Sequence, residues 1–288
     1  MAKQNVGITG LNVAVFRAIE QYQPEQTRIC NDTLAIELVS ATYRFLLQFA
    51  TIRNLALAKS NAVSPMIYGA QICRTRYLDD VVTDCLSRGI FKQLVILGAG
   101  LDSRPYRLPG MEKIKVFEVD LPSVQEYKKK KIKSIFGSLP ENVTFLPIDF
   151  ENQDLETVFL SSDFDPSSLT IFIWEGVTQY LTVDGVRQTF SFIGKSKPGS
   201  IILFTYVLRS IIERRLPEAN KLLDFSISQG YPFIFGLDPS EISSFLKPFH
   251  LKPIEEVGMI EFQKRYLDPI SRHLILFDAE RIVQAIVN

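Results

Sequence analysis

From Leu94 onward the chain alternates short, mainly apolar runs with helix-patterned stretches, and few folds accommodate that rhythm. The runs are LVIL (94–97), IKVFEVD (114–120), VTFLPIDF (143–150), LTIFIWEG (169–176) and SIILFTYVL (200–208). LVIL, continuous and apolar, reads as a strand buried on both faces, as in a parallel sheet covered by helices. Helical patterns separate the runs at 123–136, 154–159 and 183–193. Strands joined through helices are linked by right-handed crossovers into a parallel sheet, so the fold class is α/β with helices on both faces.

The segments around this core read differently. Residues 1–90 read as a helical N-terminal cap. Ala14, Ala18, Ile19 and Tyr22 recur at helical spacing, and a second apolar helix runs from an N-cap at Asp32 to about Phe49. A third helix opens at Pro65 and closes at Gly89. Its apolar stripe carries Ile67, Ala70, Tyr77, Leu78, Val81, Val82 and Cys85, with Arg74 set among them. Residues 91–208 form the ligand-binding core and 209–240 a helical insertion. In 241–288, HLKPIEEVG and SRHLILFDA read as closing strands, an antiparallel pair. The whole is expected to be one domain.

Composition excludes several classes of function. Thirty-two basic and thirty-two acidic residues leave no net field for nucleic acid or anionic lipid. No apolar run approaches a membrane span and the first residues lack a signal pattern, so a cytoplasmic protein is expected. Cys30, Cys73 and Cys85 form no CxxC and read as reduced thiols, Cys73 and Cys85 as small core residues. His250 and His273 have no ligand-spaced neighbours, so no metal is expected. The run YKKKKIK (127–133) reads as a solvated helix rather than a polyanion site. Trp174 reads as core and Glu118 as a structural acid within its strand.

Ligands of open α/β sheets lie beyond the carboxyl ends of the strands. There the sequence places Gly98-Ala99-Gly100, Asp120, Asp149-Phe150 and Glu175-Gly176 in succession. Glycines let backbone approach a ligand. A carboxylate such as Asp120 can accept both hydroxyls of a ribose. Asp149 can accept an adenine amine with Phe150 packed on the ring. Each acid is equally consistent with a turn or cap; in series with the glycines they point to adenosine. The third glycine of a dinucleotide fingerprint is replaced by Ser103, and no phosphate loop of the G-x-x-x-x-G-K type exists, so a phosphate-free adenosine fits better. S-adenosylmethionine is such a ligand. The alternatives are an NAD(P)-dependent oxidoreductase on a similar sheet and a non-catalytic binder of an adenosine ligand.

The stretches FRAIEQYQPEQTRICNDTLA, ICRTRYLDD, VILGAGLDSRPYRL, FEVDLP, PIDF and WEGVTQYL, between Phe16 and Leu181, resemble the leucine carboxyl methyltransferase and polyketide O-methyltransferase family, in particular its bacterial branch. The resemblance implies a Rossmann-like class I methyltransferase that uses S-adenosyl-L-methionine. It implies that Arg74 holds the methionine carboxylate, Gly98 lies under the methionine portion, Asp120 takes the ribose, Asp149 and Phe150 the adenine, and Glu175 lies beside the cofactor. A buried Arg74 needs a carboxylate: the cofactor's, or an internal acid such as Asp79 or Asp102. Arg104 and Arg107 are expected to lock the glycine loop onto carboxylates. The methyl acceptor is expected to be a carboxylate or acidic hydroxyl on a small molecule or peptide end, with Tyr180, Tyr206 and Arg209 as candidates for positioning it.

Overall fold

The computed structural model describes residues 7–64, 67–150 and 152–288. A seven-stranded sheet runs in the order β3-β2-β1-β4-β5-β7-β6. The parallel strands are β1 (Gln93–Leu97), β2 (Lys115–Asp120), β3 (Val143–Pro147), β4 (Thr170–Trp174) and β5 (Ile201–Val207). β7 (Glu280–Val287) inserts antiparallel between β5 and β6 (Leu251–Val257). Strand order reverses between β1 and β4, which creates a crevice at their carboxyl ends.

Alternation within each strand divides the core into two layers. Leu94, Ile96, Ile171, Ile173 and Leu203 pack with the helices Gly7–Glu20 and Ile67–Ser87. Val95, Leu97, Phe172, Trp174, Ile202 and Phe204 face the other way, against Phe159, Phe190 and Leu246. Both sheet faces are thus covered, which is why the strands read as mainly apolar runs.

Two expectations change. The segment after Asp32 forms two short helices, Ala35–Leu38 and Ala41–Leu46, rather than one. Asp32 does accept the Ala35 N–H, but Ser40 adopts an extended backbone and caps Tyr43 instead of continuing the helix. The helix Ala50–Val63 that follows has no fully buried residue; only a half-buried stripe, with Ala56 and Leu57 against the core, marks its inner face. The second closing strand is ERIVQAIV, not SRHLILFDA. Residues 271–279 instead lie across the cap: Leu276 packs against Gly69, and Arg272 pairs with Glu20 at 2.5 Å. Pro65 lies outside the described residues. Among the described residues no helix is long and apolar enough to cross a membrane.

The lysine run also differs from expectation. Lys130 and Lys133 are exposed, but Lys128 is buried and sits 2.8 Å from the equally buried Glu118. Glu118 also accepts the Tyr106 hydroxyl at 2.8 Å, and Lys128 donates to the Ala99 carbonyl at 3.4 Å. A structural acid in a buried strand requires a cation, and the nearest helix supplies it.

Candidate functional site

The carboxyl edge of β1, β2 and β4 is where the glycines and acids converge. Gly98 leaves β1 with φ +71°, and a Cβ there would meet Val177 at 2.3 Å. Only glycine fits between the loops following β1 and β4. Gly98 and Ala99 both donate to the Val119 carbonyl, which turns the loop over the end of β2. Asp120 then closes the turn: its two carboxylate oxygens accept the Gly100 and Leu121 N–H groups, each at 2.6 Å. Burial raises the Asp120 pKa, against the lowering effect of these two bonds. An ionised carboxylate offers about four lone-pair sites, so about two remain for a ligand's hydroxyls. The helix Gly7–Glu20 covers this loop. A Cβ on Gly10 would touch the Gly100 Cα at 3.7 Å, and Arg17 donates to the Leu101 carbonyl at 2.6 Å.

Beside the loop lies a buried chain of ions. Arg74, only 4% exposed, donates through Nε to Glu175 Oε1 at 2.7 Å and through Nη1 to Glu280 Oε2 at 2.5 Å. Glu175 Oε2 accepts Arg104 Nη1 at 2.8 Å. Arg104 also holds Asp102 at 2.6 Å and Asp79 at 2.8 Å, and Arg107 reaches Asp79 at 2.7 Å and Asp32 at 3.4 Å. Arg104 and Arg107 therefore do lock the loop. Arg74 pairs with Glu175 and Glu280 instead of Asp79 or Asp102, because Arg104 takes both of those acids. Glu280 opens β7 opposite Val207, the last residue of β5, at the same sheet edge. No sequence pattern links it to Arg74, 206 positions away.

Burial alone would push the Glu175 carboxyl up, yet Arg74 and Arg104 outweigh it and bring the pKa down to about 2. A depressed carboxylate contributes stability that is present above its unfolded value, near 4.5, and lost as pH falls toward about 2. The stability gap between the wild-type chain and Glu175→Gln should be constant above that window and close through it. Melting temperatures at stepped pH check this; a gap that widens on acidification would contradict the assignment.

Asp149 and Phe150 lie just beyond β3. Asp149 accepts from Asn152 at 2.8 Å, and its carbonyl closes a turn with Asn152 and Gln153, while Phe150 is half-buried. Tyr180 follows β4 in an aromatic group with Tyr231 and Phe233, with ring centroids 6.3 and 5.5 Å away. Burial pushes its phenol up to about 12, and Glu280 adds to that. Two other candidates do not reach the site. Tyr206 is fully buried on the far face of β5 and donates to Glu256 at 2.6 Å. Arg209 is committed to Glu241 through both terminal nitrogens. Both histidines are exposed, and His250 immediately precedes β6, at the opposite edge of the sheet. Among the described residues no group of acids, histidines and cysteines could hold a metal.

The loop is poorly built for pyrophosphate. Ser103, at the third-glycine position, is buried and donates to Asp32 at 2.6 Å. The helix that follows has four residues, Arg104–Arg107, and Asp102 occupies its first N–H at 2.8 Å. An acid therefore stands where a phosphate would have to bind.

The chain belongs to the leucine carboxyl methyltransferase family, whose model matches residues 10–194. It is 34% identical over 203 residues to a Mycolicibacterium smegmatis protein assigned, by name only, as an S-adenosyl-L-methionine-dependent methyltransferase, covering 69% of this chain and 63% of that one. A Mycobacterium tuberculosis protein of the same designation is 33% identical over 213 residues, covering 70% and 65%. The chain thus spans just under two thirds of the length of these relatives. The fold is shared with a solved Thermobifida fusca structure described as a methyltransferase (TM-score 0.61, 19% identity, 83% and 89% of the two chains). It is also shared with a DUF574-family protein of Streptomyces avermitilis (TM-score 0.61, 12% identity, 96% and 97%).

Proposed function

We propose that the protein is an S-adenosyl-L-methionine-dependent methyltransferase that methylates an oxygen, a carboxylate or acidic hydroxyl, on a small molecule or peptide end. The family supports the cofactor class, and the site's chemistry fits it. Asp120 has lone pairs left for a ribose diol. Arg74 keeps unused donors for a carboxylate. A short, acid-capped helix follows the glycine loop where a dinucleotide needs an open N-terminus. Phe150 and Asp149 lie beyond the ribose acid for an adenine.

The cofactor supplies a methyl group on an already activated sulfur. The acceptor oxygen's lone pair forms the new O–C bond as the S–C bond breaks, and that electron pair stays on sulfur. The chain's work is alignment and exclusion of water, worth roughly 7–11 kcal/mol in well-oriented systems. The observation that carries an acidic acceptor is the state of the surrounding groups. Tyr180, its phenol pushed up to about 12, stays protonated at neutral pH and can donate to an acceptor oxygen but not deprotonate it. An acceptor that arrives ionised needs no base.

Calorimetry should detect binding of S-adenosylmethionine and its demethylated product, with NAD much weaker. Mass spectrometry should then detect methyl transfer in a panel of carboxylates and phenols but not of plain alcohols. NAD binding without S-adenosylmethionine binding would overturn the reading.

A further inference from the structure

The proposed cofactor has a zwitterionic end, which takes donors for its carboxylate and acceptors for its ammonium, a carboxylate being the strongest of these. Arg74 can supply the donors without giving up its glutamates. A guanidinium has five N–H donors, and the described contacts use one on Nε and one on Nη1. Nη2 faces Gly176, where a Cβ would stand 3.4 Å from it. A carboxylate needs two donors, so it can join the pair rather than displace it.

The anion is harder to find among the expected residues. Glu175 accepts an arginine on each oxygen, from Arg74 and Arg104. Its charge is shared between two buried cations. Asp79 and Asp102 are held by Arg104 in the same way. Asp120 is engaged at the loop. Glu280 differs: one oxygen meets Arg74 Nη1, and its other oxygen has no hydrogen bond among the described residues. Its side chain is 14% exposed, as is that of Glu175, so what sets Glu280 apart is the oxygen without a hydrogen bond. The α-carbon of an amino acid separates its carboxylate and ammonium by two bonds, which suits two neighbouring groups joined by one ion pair.

Resting on the cofactor reading above, we propose that Glu280 is the carboxylate that receives the α-ammonium of the cofactor. Glu175 acts as a positioning residue that clamps Arg74 to Arg104. A sequence position at the start of the last strand thereby belongs to the binding site.

The test uses three ligands on the full chain: S-adenosylhomocysteine, its analogue lacking the α-amino group, and 5′-methylthioadenosine, which lacks the whole amino-acid end. The wild-type chain should prefer S-adenosylhomocysteine to the deamino analogue by about tenfold or more, the scale of one charge-assisted hydrogen bond. Glu280→Gln should erase that preference while leaving the other two ligands within about twofold. Glu280→Asp, which keeps the charge, should retain part of it. The proposal is overturned if the wild-type chain does not discriminate. It is also overturned if Glu280→Gln weakens both amino-acid ligands equally, or tightens S-adenosylhomocysteine as removal of a competitor for Arg74 would. Binding of methylthioadenosine without discrimination sinks Glu280 and leaves the adenosine site standing; no binding of any of the three sinks both. The wild-type comparison requires no variant to fold.

Discussion

Replacing Arg104 with methionine should cost the folded state at least about 3–5 kcal/mol, the usual penalty for removing one partner of a buried ion pair. Arg104 is 1% exposed and holds Asp79, Asp102 and Glu175 at once. Asp79 would keep Arg107, and Glu175 would keep Arg74. Asp102 would lose its one contact ion pair among the described residues, keep only the more distant Lys128 and Arg17, and stay buried. Since whole domains are stable by only about 5–15 kcal/mol, the loss should appear directly in denaturant unfolding. Arg104→Lys should recover a minority of it: the charge remains, but one ammonium cannot span three acids as a planar fork does. A loss under about 1 kcal/mol would show the network to be far more solvated than its burial implies.

The same network shows what the sequence makes legible. The mainly apolar runs and intervening helices announce the sheet, because burial on both faces leaves little room for polar alternation. The acids and glycines that end β1, β2 and β4 are visible because each stands where an apolar run gives way; in β2 the run is already interrupted by Lys115 and Glu118. Arg74 is legible as a buried cation from its place on a helical stripe. Its partners are not. Glu280 comes from the far end of the chain, and only the antiparallel insertion of β7 brings it to this edge. Tyr206 shows the opposite error. It ends a strand near the expected site, but strand alternation turns it to the opposite face, into the core with Phe204 and Trp174. The helix Ala50–Val63 is faint because it buries no residue fully and sets only Ala56 and Leu57 half-buried against the core. Lys128 was legible and is masked only by its neighbours. It lies four residues after Val124 and four before Ile132, both buried, so the helix turns it inward with them.

That inward lysine should be nearly as costly to remove. Lys128→Met leaves Glu118 in a site with no exposure, where burial already raises its carboxyl pKa against the lowering by Lys128 and Tyr106. About 3–5 kcal/mol should be lost at neutral pH. The loss has a pH signature. Without the lysine, the folded-state pKa of Glu118 rises further above its unfolded value near 4.5. A raised carboxyl favours the folded state below the unfolded value and loses that advantage as pH rises toward the folded one. The variant should therefore lie closest to wild type near pH 4.5 and fall behind as pH increases. Adding Glu118→Gln removes the unpaired charge while keeping an acceptor for the Tyr106 hydroxyl, so the double variant should be the more stable at neutral pH. If it is instead the less stable, the cost of losing Lys128 lies in packing rather than charge. Lys128 also donates to the Ala99 carbonyl, inside the loop that Gly98 and Gly100 form at the proposed cofactor site. Any stable variant at this position should therefore bind S-adenosylhomocysteine and methylthioadenosine more weakly by the same factor, because the loop lies under both. A loss confined to the amino-acid end would separate Lys128 from that loop and return the effect to Arg74 and its glutamates.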